Sequence, residues 1–506
     1  MDGSPPAPAD GVSFGSSAGR WVLAVTVLGS GMAFLDGTVV NIALPDIGRD
    51  LDASTSSLQW ILNGYLLTLA SLILLGGSLG DRYGRRLVFV VGVGLFTLSS
   101  LLCAVAPTVE LLIGARLLQG VGGALLTPGS LAIIESSFRP SDRSRAIGAW
   151  SGLGGVATAL GPLLGGYLVQ AVSWRAIFLI NLPLGVFVMA MASRHVPEVR
   201  DPSAGGRLDF GGVALAGLGL AGTTYALIEA PGQGASAPVL LAGIGGVLAL
   251  VAFLLAERRS PNPMMPLGMF SSRQFSGANL VTFVVYAALS GFFFLFVSFL
   301  QISMGYSPIA AGAASLPVTA LMLAFSARSG ALAQRIGARI PLTVGPLVIA
   351  FGLLMLTRIE PGDDYFSGVL PGVVVFGLGL TLVVAPVTST VLAAAEARRA
   401  GVASGINNAV SRVGGLLAVA VLPVIAGLTG DSFYDPAKMS DGFHMAMVAC
   451  AVLAAAGGAL AWLTISSEAP AAEAKAEPEF SCAIAGTQLQ ASGEHPLQAL
   501  PARSRS

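Results

Sequence analysis

The sequence predicts an all-α integral membrane protein with fourteen spanning helices, grouped as six, two and six. Three observations predict it. Of 506 residues, 54% are hydrophobic and only 11% are charged, whereas a soluble domain carries about 25% charged residues. The chain also divides into fourteen apolar runs, each close to the ~20 residues that cross a bilayer as a helix. Finally, the basic residues alternate between these runs. Of the 27 Lys and Arg, 21 fall in segments on one side, and 4 (Arg49, Arg175, Arg358 and Lys438) fall on the other. Such an excess marks cytoplasmic loops, which places both termini in the cytoplasm and the chain in the cell membrane as a multi-pass protein. Adding or removing one span would scramble the alternation downstream.

The first six spans fall near 21–45, 58–79, 87–106, 109–133, 146–171 and 176–193. A central pair follows near 209–229 and 238–256. The last six fall near 276–301, 308–328, 340–357, 367–393, 401–428 and 441–464. The organisation is then a disordered cytoplasmic tail (1–19), a six-helix bundle (20–193), a central segment with two additional spans (194–275), a second six-helix bundle (276–465) and a disordered tail (466–506). Residues 1–19 lack the compact basic stretch and short apolar core of a cleavable signal, so the first span is expected to stay. Pro128, Pro162, Pro317 and Pro386 lie inside runs, which is compatible with helices in lipid because neighbours re-satisfy the freed backbone groups. Cys103 and Cys450 lie in apolar runs and Cys482 in the polar tail, a spacing that gives no disulfide framework or metal site. Arg far outnumbers Lys, and Ala and Gly are heavily used; this points to a GC-rich bacterial source.

Charges inside the runs carry the functional reading. Asp36 closes the first run in Leu35-Asp-Gly-Thr-Val-Val-Asn-Ile-Ala-Leu-Pro45. A charge at bilayer depth costs about 2.5–3.5 kcal/mol on insertion scales, and such groups mark ion or proton paths. Asp36 lies roughly 13 Å, and Arg116 roughly 12 Å, below the same outer surface at 1.5 Å per helical residue. Opposite charges at one depth on the first and fourth spans are expected to face a shared cavity. There, a neighbouring Arg favours an ionised carboxylate and desolvation favours a neutral one. The alternative is a buried ion pair that only fixes packing. Gln119 shares a helix face with Arg116 by three-residue spacing. Asn41 can bond either a ligand or a neighbouring helix.

Other motifs read as conformational. Gly77-Ser-Leu-Gly-Asp-Arg-Tyr-Gly-Arg-Arg86 reads as a short cytoplasmic turn, a gating motif that begins at Gly77 and in which Gly80 and Gly84 permit tight geometry. Asp81 is placed to pair with an Arg, or to face a helix start. Ala157, Gly161 and Gly165 recur every four residues as a small-residue stripe for close helix approach. Pro162 is expected to bend that helix, and Gly166 extends the Gly-Pro-Leu-Leu-Gly-Gly run. Ser404, Asn408 and Arg412 also recur every four residues, one polar stripe on the thirteenth span that makes Asn408 and Arg412, with Asn41 and Gln119, candidates to line the substrate cavity. Arg412 falls near the middle of that span, where it either charges the cavity or serves as a paired or snorkelling structural residue. Glu135, Glu229 and Glu257 lie at span ends, where a surface position is expected.

Gly330-Ala-Leu-Ala-Gln-Arg-Ile-Gly-Ala-Arg339 repeats the Gly, Leu, Arg, Gly and Arg positions of Gly77–Arg86 at the same offsets. The two copies follow corresponding spans of the two six-span blocks, which indicates an internal duplication of the kind that underlies many transporters. Taken together, the motifs resemble the major facilitator superfamily, specifically its fourteen-helix drug–proton antiporter branch, over residues 20–465. Gly77–Arg86 is similar to that family's loop motif, Leu35–Pro45 to its first-helix motif and Arg116–Gly120 to its fourth-helix motif. Gly161-Pro162 with Gly165-Gly166 resembles the antiporter motif of the fifth helix. Trp174-Arg175 with Asn181–Gly185, and Gly305–Pro308 with Ala311-Gly312, also fit. The resemblance implies two bundles around a central cavity, alternating access, and proton-driven efflux of hydrophobic or cationic compounds such as antibiotics. By position it implies Asp36 as the proton-coupling acid and Arg116 as its partner. Gln334 departs from the pattern, which has an acid there, and implies a weaker second-half gate. The thirteenth span has no carboxylate, which argues against dicationic substrates.

No nucleophile–base pair or metal cluster is identifiable inside the spans, so an enzyme is not expected, and no basic domain supports nucleic-acid binding. The expected partners are a small-molecule drug or antibiotic, protons and the lipid bilayer, with no cofactor beyond the proton gradient. A transporter of one defined metabolite, or a non-transporting membrane sensor, are the competing readings.

Overall fold

The computed structural model describes residues 11–200, 208–261, 263–395 and 399–467. These residues form fourteen helices long and apolar enough to cross a membrane. The first six are α1 (Ser17–Asp50), α2 (Thr55–Tyr83), α3 (Arg85–Val105), α4 (Val109–Ser137), α5 (Pro140–Ala171) and α6 (Ala176–His195). The central pair is α7 (Phe210–Gln233) and α8 (Ala237–Arg259). The last six are α9 (Arg273–Ile302), α10 (Pro308–Ile336), α11 (Arg339–Leu356), α12 (Tyr365–Ala393), α13 (Gly401–Ile425) and α14 (Pro436–Thr464).

Several helices extend a turn or more past their apolar runs. Capping side chains outside the runs set their starts: Ser16, Ser54, Thr108 and Asp209 accept from Gly19, Ser57, Leu111 and Gly212 backbone N–H groups at 3.0, 3.2, 3.4 and 2.7 Å. Such caps satisfy donors that a helix start leaves orphaned. Pro45 does not stop α1, which continues to Asp50. The expected N-terminal tail is also shorter among the described residues. Val12 pairs with the end of α4 through Val12 N–H to Ser137 O (2.7 Å) and Arg139 N–H to Val12 O (3.2 Å). The expected C-terminal tail lies, from residue 468 onward, outside the described residues.

The duplication is visible as a repeated packing pattern. In the first bundle α1 packs on α5 and α6, α4 on α2 and α3, and α3 on α6. In the second, α9 packs on α13 and α14, α12 on α10 and α11, and α11 on α14. The bundles meet through α2 against α13 and α5 against α10, which are exchanged contacts as a two-fold pseudo-symmetry requires. α7 packs on α8 and covers the seam between α2 and α13.

The seam is sealed at the end where α1 gives way to α2. Gln59 of α2 donates to the Val419 and Ala420 carbonyls of α13 at 2.7 and 3.0 Å. Pro423 explains the first bond, because it has no N–H to offer the carbonyl four residues earlier. Thr55 donates to Gly430 O at 2.7 Å, Tyr434 to Ala53 O at 2.7 Å and Gln301 to Ile42 O at 2.8 Å. Gly166 and Gly312 bring α5 and α10 together so closely that a Cβ on Gly312 would overlap the Pro162 carbonyl.

The helix-end acids differ from expectation in one case. Glu257 is 2% exposed and accepts Met265 N–H at 3.0 Å, because the α8–α9 connection folds back over it. Glu229 accepts from the Trp60 indole at 3.0 Å, tying the α7 end to α2, while Glu135 is exposed.

Candidate functional site

α1 and α4 carry the centre of the site. Gly120, Gly122 and Gly123 of α4 lack side chains where α2 and α3 press in: a Cβ on Gly120 would meet Tyr65 O and Thr68, and one on Gly122 would meet Phe96. This close approach lets side chains on α4 bond to backbone on α2. Arg116 Nε donates to Ile61 O at 3.0 Å. Its Nη1 donates to Asp36 Oδ2 at 2.5 Å and to Gln119 Oε1 at 2.6 Å. Gln119 Nε2 then donates to Asp36 Oδ1 at 2.9 Å and to Ser100 Oγ at 2.9 Å. Both oxygens of the Asp36 carboxylate are thus held from α4, one by a guanidinium and one by a carboxamide. The Asp36 and Arg116 side chains are each 1% exposed. Charge-assisted bonds of this kind are short and about twice as strong as neutral ones.

A second ring of residues fixes the first. Asn181 of α6 donates to Ser100 Oγ at 3.3 Å, and the Cys103 thiol of α3 lies 3.8 Å from Gln119 Oε1. The Arg116 guanidinium sits 4.5 Å from the Tyr65 ring centroid and 5.9 Å from that of Phe178, a favourable stacking for a desolvated cation. Three helices besides α1 and α4 therefore converge on one ion pair. Asn181 belongs to a stretch that fits the family pattern, whereas Ser100 and Tyr65 escape a motif reading because single Ser and Tyr residues in apolar runs have no periodic partner. The only available signal is their polarity within spans.

Beside this network lies a cavity of about 160 Å³ between the bundles. Arg116 reaches it from one side and Arg412 of α13 from the other. Thr38, Asn41 and Tyr65 face Ser290, Ser315 and Phe293 across it. Asn41 donates to Gly37 O, one turn back, at 3.1 Å. Arg412 forms no ion pair among the described residues, and its Nε has no hydrogen-bond partner. Asn408, expected in the same cavity, does not line it; its amide donates back to Ser404 O at 3.2 Å. The neighbouring Asn407 is the packed one, donating to Asn279 and Thr282 of α9 at 3.2 and 2.8 Å.

The motif expected as a turn is mostly helix. Gly77, Gly80, Asp81 and Arg82 lie in the last turns of α2, and Gly84 alone makes the turn, at φ +120°. Gly337 repeats it at φ +84° in the second bundle. Arg85 Nη2 pairs with Asp81 at 2.9 Å, and its Nη1 donates to Ala132 O of α4 at 2.9 Å. Arg82 stacks toward Tyr83 at 5.6 Å. Glu198, after α6, accepts Arg86 and Leu87 backbone N–H groups at 3.1 Å each, a carboxylate at a helix N-terminus. A Cβ on Gly84 would run into that carboxylate. Gly84→Ala is expected to cost about 1–3 kcal/mol from backbone strain alone and to lower the unfolding temperature measured in detergent. An unchanged melting curve would contradict this reading.

On α5, Gly161 and Gly165 lie against Thr38 and Val39 of α1, while Gly166 lies against Pro308 and Ile309 of α10. Pro162 lies against Gly312 of α10 and also lines the cavity. One stretch of helix thus touches the Asp36 helix on one face and the opposite bundle on the other.

A family model described as Major Facilitator Superfamily matches residues 26–419. The methylenomycin A resistance protein of Bacillus subtilis (strain 168) is 36% identical over 456 residues, 89% of this chain and 96% of that protein. The tetracenomycin C resistance and export protein of Streptomyces glaucescens is 38% identical over 417 residues, 82% of this chain and 77% of that protein. Among solved structures, the POT family transporter PepTSo superposes with a TM-score of 0.62 at 16% identity, over 88% of this chain and 97% of that one. That likeness concerns the fold alone.

Proposed function

Because this chain belongs to the Major Facilitator Superfamily, we propose that it exports antibiotic-like small molecules in exchange for protons, by alternating access around the central cavity. The relatives whose names record antibiotic resistance and export support efflux as the direction. The observation that carries proton coupling is the double clamp on Asp36, whose two oxygens bond to Arg116 and Gln119 at 2.5 and 2.9 Å.

The clamp works as follows. Ionised Asp36 holds α1 to α4 through a desolvated ion pair. A proton on Asp36 removes the negative charge, so Arg116 keeps only a neutral acceptor and α1 is freed relative to α4. Breaking a buried pair by removing one partner typically costs 3–5 kcal/mol. That is enough to reverse a conformational equilibrium, since each 1.4 kcal/mol is tenfold. The basic residues of the loops support cytoplasmic termini, and with that orientation the sealed α1–α2 end faces out. The conformation described is then the one that has released its proton inward and receives compound from the cytoplasm. Opening of the outer end, through the paired α5–α10 and α2–α13 seams, releases the compound and lets a proton reach Asp36.

Inside-out vesicles, energised and loaded with a pH indicator, test this reading. Compounds of the relatives' classes, methylenomycin A and tetracenomycin C among them, are expected to trigger proton efflux from vesicles holding the wild type and not from those holding Asp36→Asn. Equal responses from both proteins would remove Asp36 from the coupling role. Silence toward every compound from folded protein would overturn the efflux reading.

A further inference from the structure

The cavity charges do not balance. Arg116 is neutralised by Asp36, whose two oxygens are both occupied. Arg412 enters the same cavity from the opposite bundle, half-buried and with no ion pair among the described residues, and its Nε is without a hydrogen-bond partner there. No Asp or Glu is among the described residues that line the cavity. The cavity therefore carries one uncompensated positive charge at the middle of a spanning helix.

Resting on the transport reading above, we infer that Arg412 anchors an acidic group of the transported compound. The substrates are then amphiphilic acids, with one carboxylate or ionised enol or phenol on an apolar body, rather than cations. The chemistry of the walls fits such a molecule. A guanidinium presents a planar fork of donors that matches a carboxylate in two-point contact. Ser290 and Ser315 supply hydroxyls on the same side as Arg412, and Thr38 and Asn41 supply polar groups opposite. Ile42, Leu62, Leu66, Phe293, Val297 and Val419 line the remaining wall and suit an apolar or aromatic body. A cation would meet Arg412 with no lining carboxylate to offset the repulsion. This narrows the class implied by family resemblance, which includes cationic compounds.

Exporting a monoanion against one imported proton moves two units of charge in the same sense, so the membrane potential drives export together with the pH gradient. A monovalent cation exchanged for one proton moves no net charge.

Three probes that share one ring system test the inference: naphthylacetate, naphthylacetamide and naphthylmethylammonium, titrated onto the purified full-length protein in detergent. The wild type is expected to bind the acid about tenfold more tightly than the amide or the ammonium, the gain of a charge-assisted over a neutral contact. Arg412→Gln is expected to bring the acid to the level of the amide, and Arg412→Lys to keep part of the preference. Preference for the ammonium, equal binding of acid and amide by the wild type, no binding of the acid, or an acid preference that survives Arg412→Gln would each overturn it. Where Arg412→Gln does not yield monodisperse protein, the wild-type order alone decides. Failure here is distinct from failure of the transport reading. A protein that moves neutral compounds against protons without acid preference keeps that reading and loses this one. A protein that prefers the acid but moves nothing loses transport.

Discussion

Asp36→Asn is expected to retain exchange of compound across the membrane and to lose its uphill accumulation. Asn keeps the size of the side chain and one acceptor for Arg116, but it cannot carry a proton between states. In vesicles with a pH difference of about one unit, a one-for-one exchange sustains roughly a tenfold accumulation, since one pH unit equals 1.36 kcal/mol. The variant is expected to reach a ratio of about one, while preloaded compound still exchanges with external compound. The variant also leaves the Arg116 guanidinium, 1% exposed, without its counter-charge. A fall in unfolding temperature consistent with roughly 3–5 kcal/mol should accompany the loss. The double variant Asp36→Asn with Arg116→Gln should recover much of that stability and none of the accumulation. Full accumulation by Asp36→Asn would place coupling elsewhere. A stability loss without a coupling loss would make the pair a packing element only.

The second large effect concerns Gly312. In the sealed conformation a side chain there would occupy the space of the Pro162 carbonyl on the opposite bundle. Gly312→Val is therefore expected to penalise the sealed state while leaving each bundle's own packing intact. Overpacking of this kind costs about 1–3 kcal/mol, which shifts a two-state equilibrium about 5- to 150-fold. Spin labels at Asp52 and Lys438, on opposite bundles at the sealed end, should report a longer distance in the variant, and export should fall correspondingly. An unchanged distance distribution would show that α5 and α10 do not part when the protein alternates.

Much of this architecture is legible in the sequence because lipid imposes a simple rule: every span must be long, apolar and helical. That rule and the arginine asymmetry locate all fourteen spans. Depth along two helices also predicts that Asp36 and Arg116 lie at one level, and the structure brings them into direct contact at 2.5 Å. Spacing cannot reveal what holds them. Ser100 and Asn181 act through α3 and α6, and their role depends on which helix faces which. Gln59 is similarly silent in sequence; it matters because Pro423, far along the chain, leaves a carbonyl bare on the facing helix. Helical periodicity places Asn408 with Arg412, yet one turn of helix carries Asn408 out of the cavity lining. The Gly77–Arg86 stretch reads as a turn from its glycines, whereas only Gly84, at φ +120°, departs from helical geometry. Glycines at 77 and 80 are small residues in a helix, not hinges. Glu257 illustrates the same limit, since its burial depends on a connection that folds back from residue 265.

The central claim is that compound and proton compete through Asp36. The most direct measurement is proton release into weakly buffered detergent solution, followed over a range of pH, when a transported compound is added to purified protein. The account predicts release from the wild type that approaches one proton per bound compound and vanishes in Asp36→Asn while compound binding persists. Equal release from Asp36→Asn, or compound binding by the wild type with no release at any pH, would contradict it.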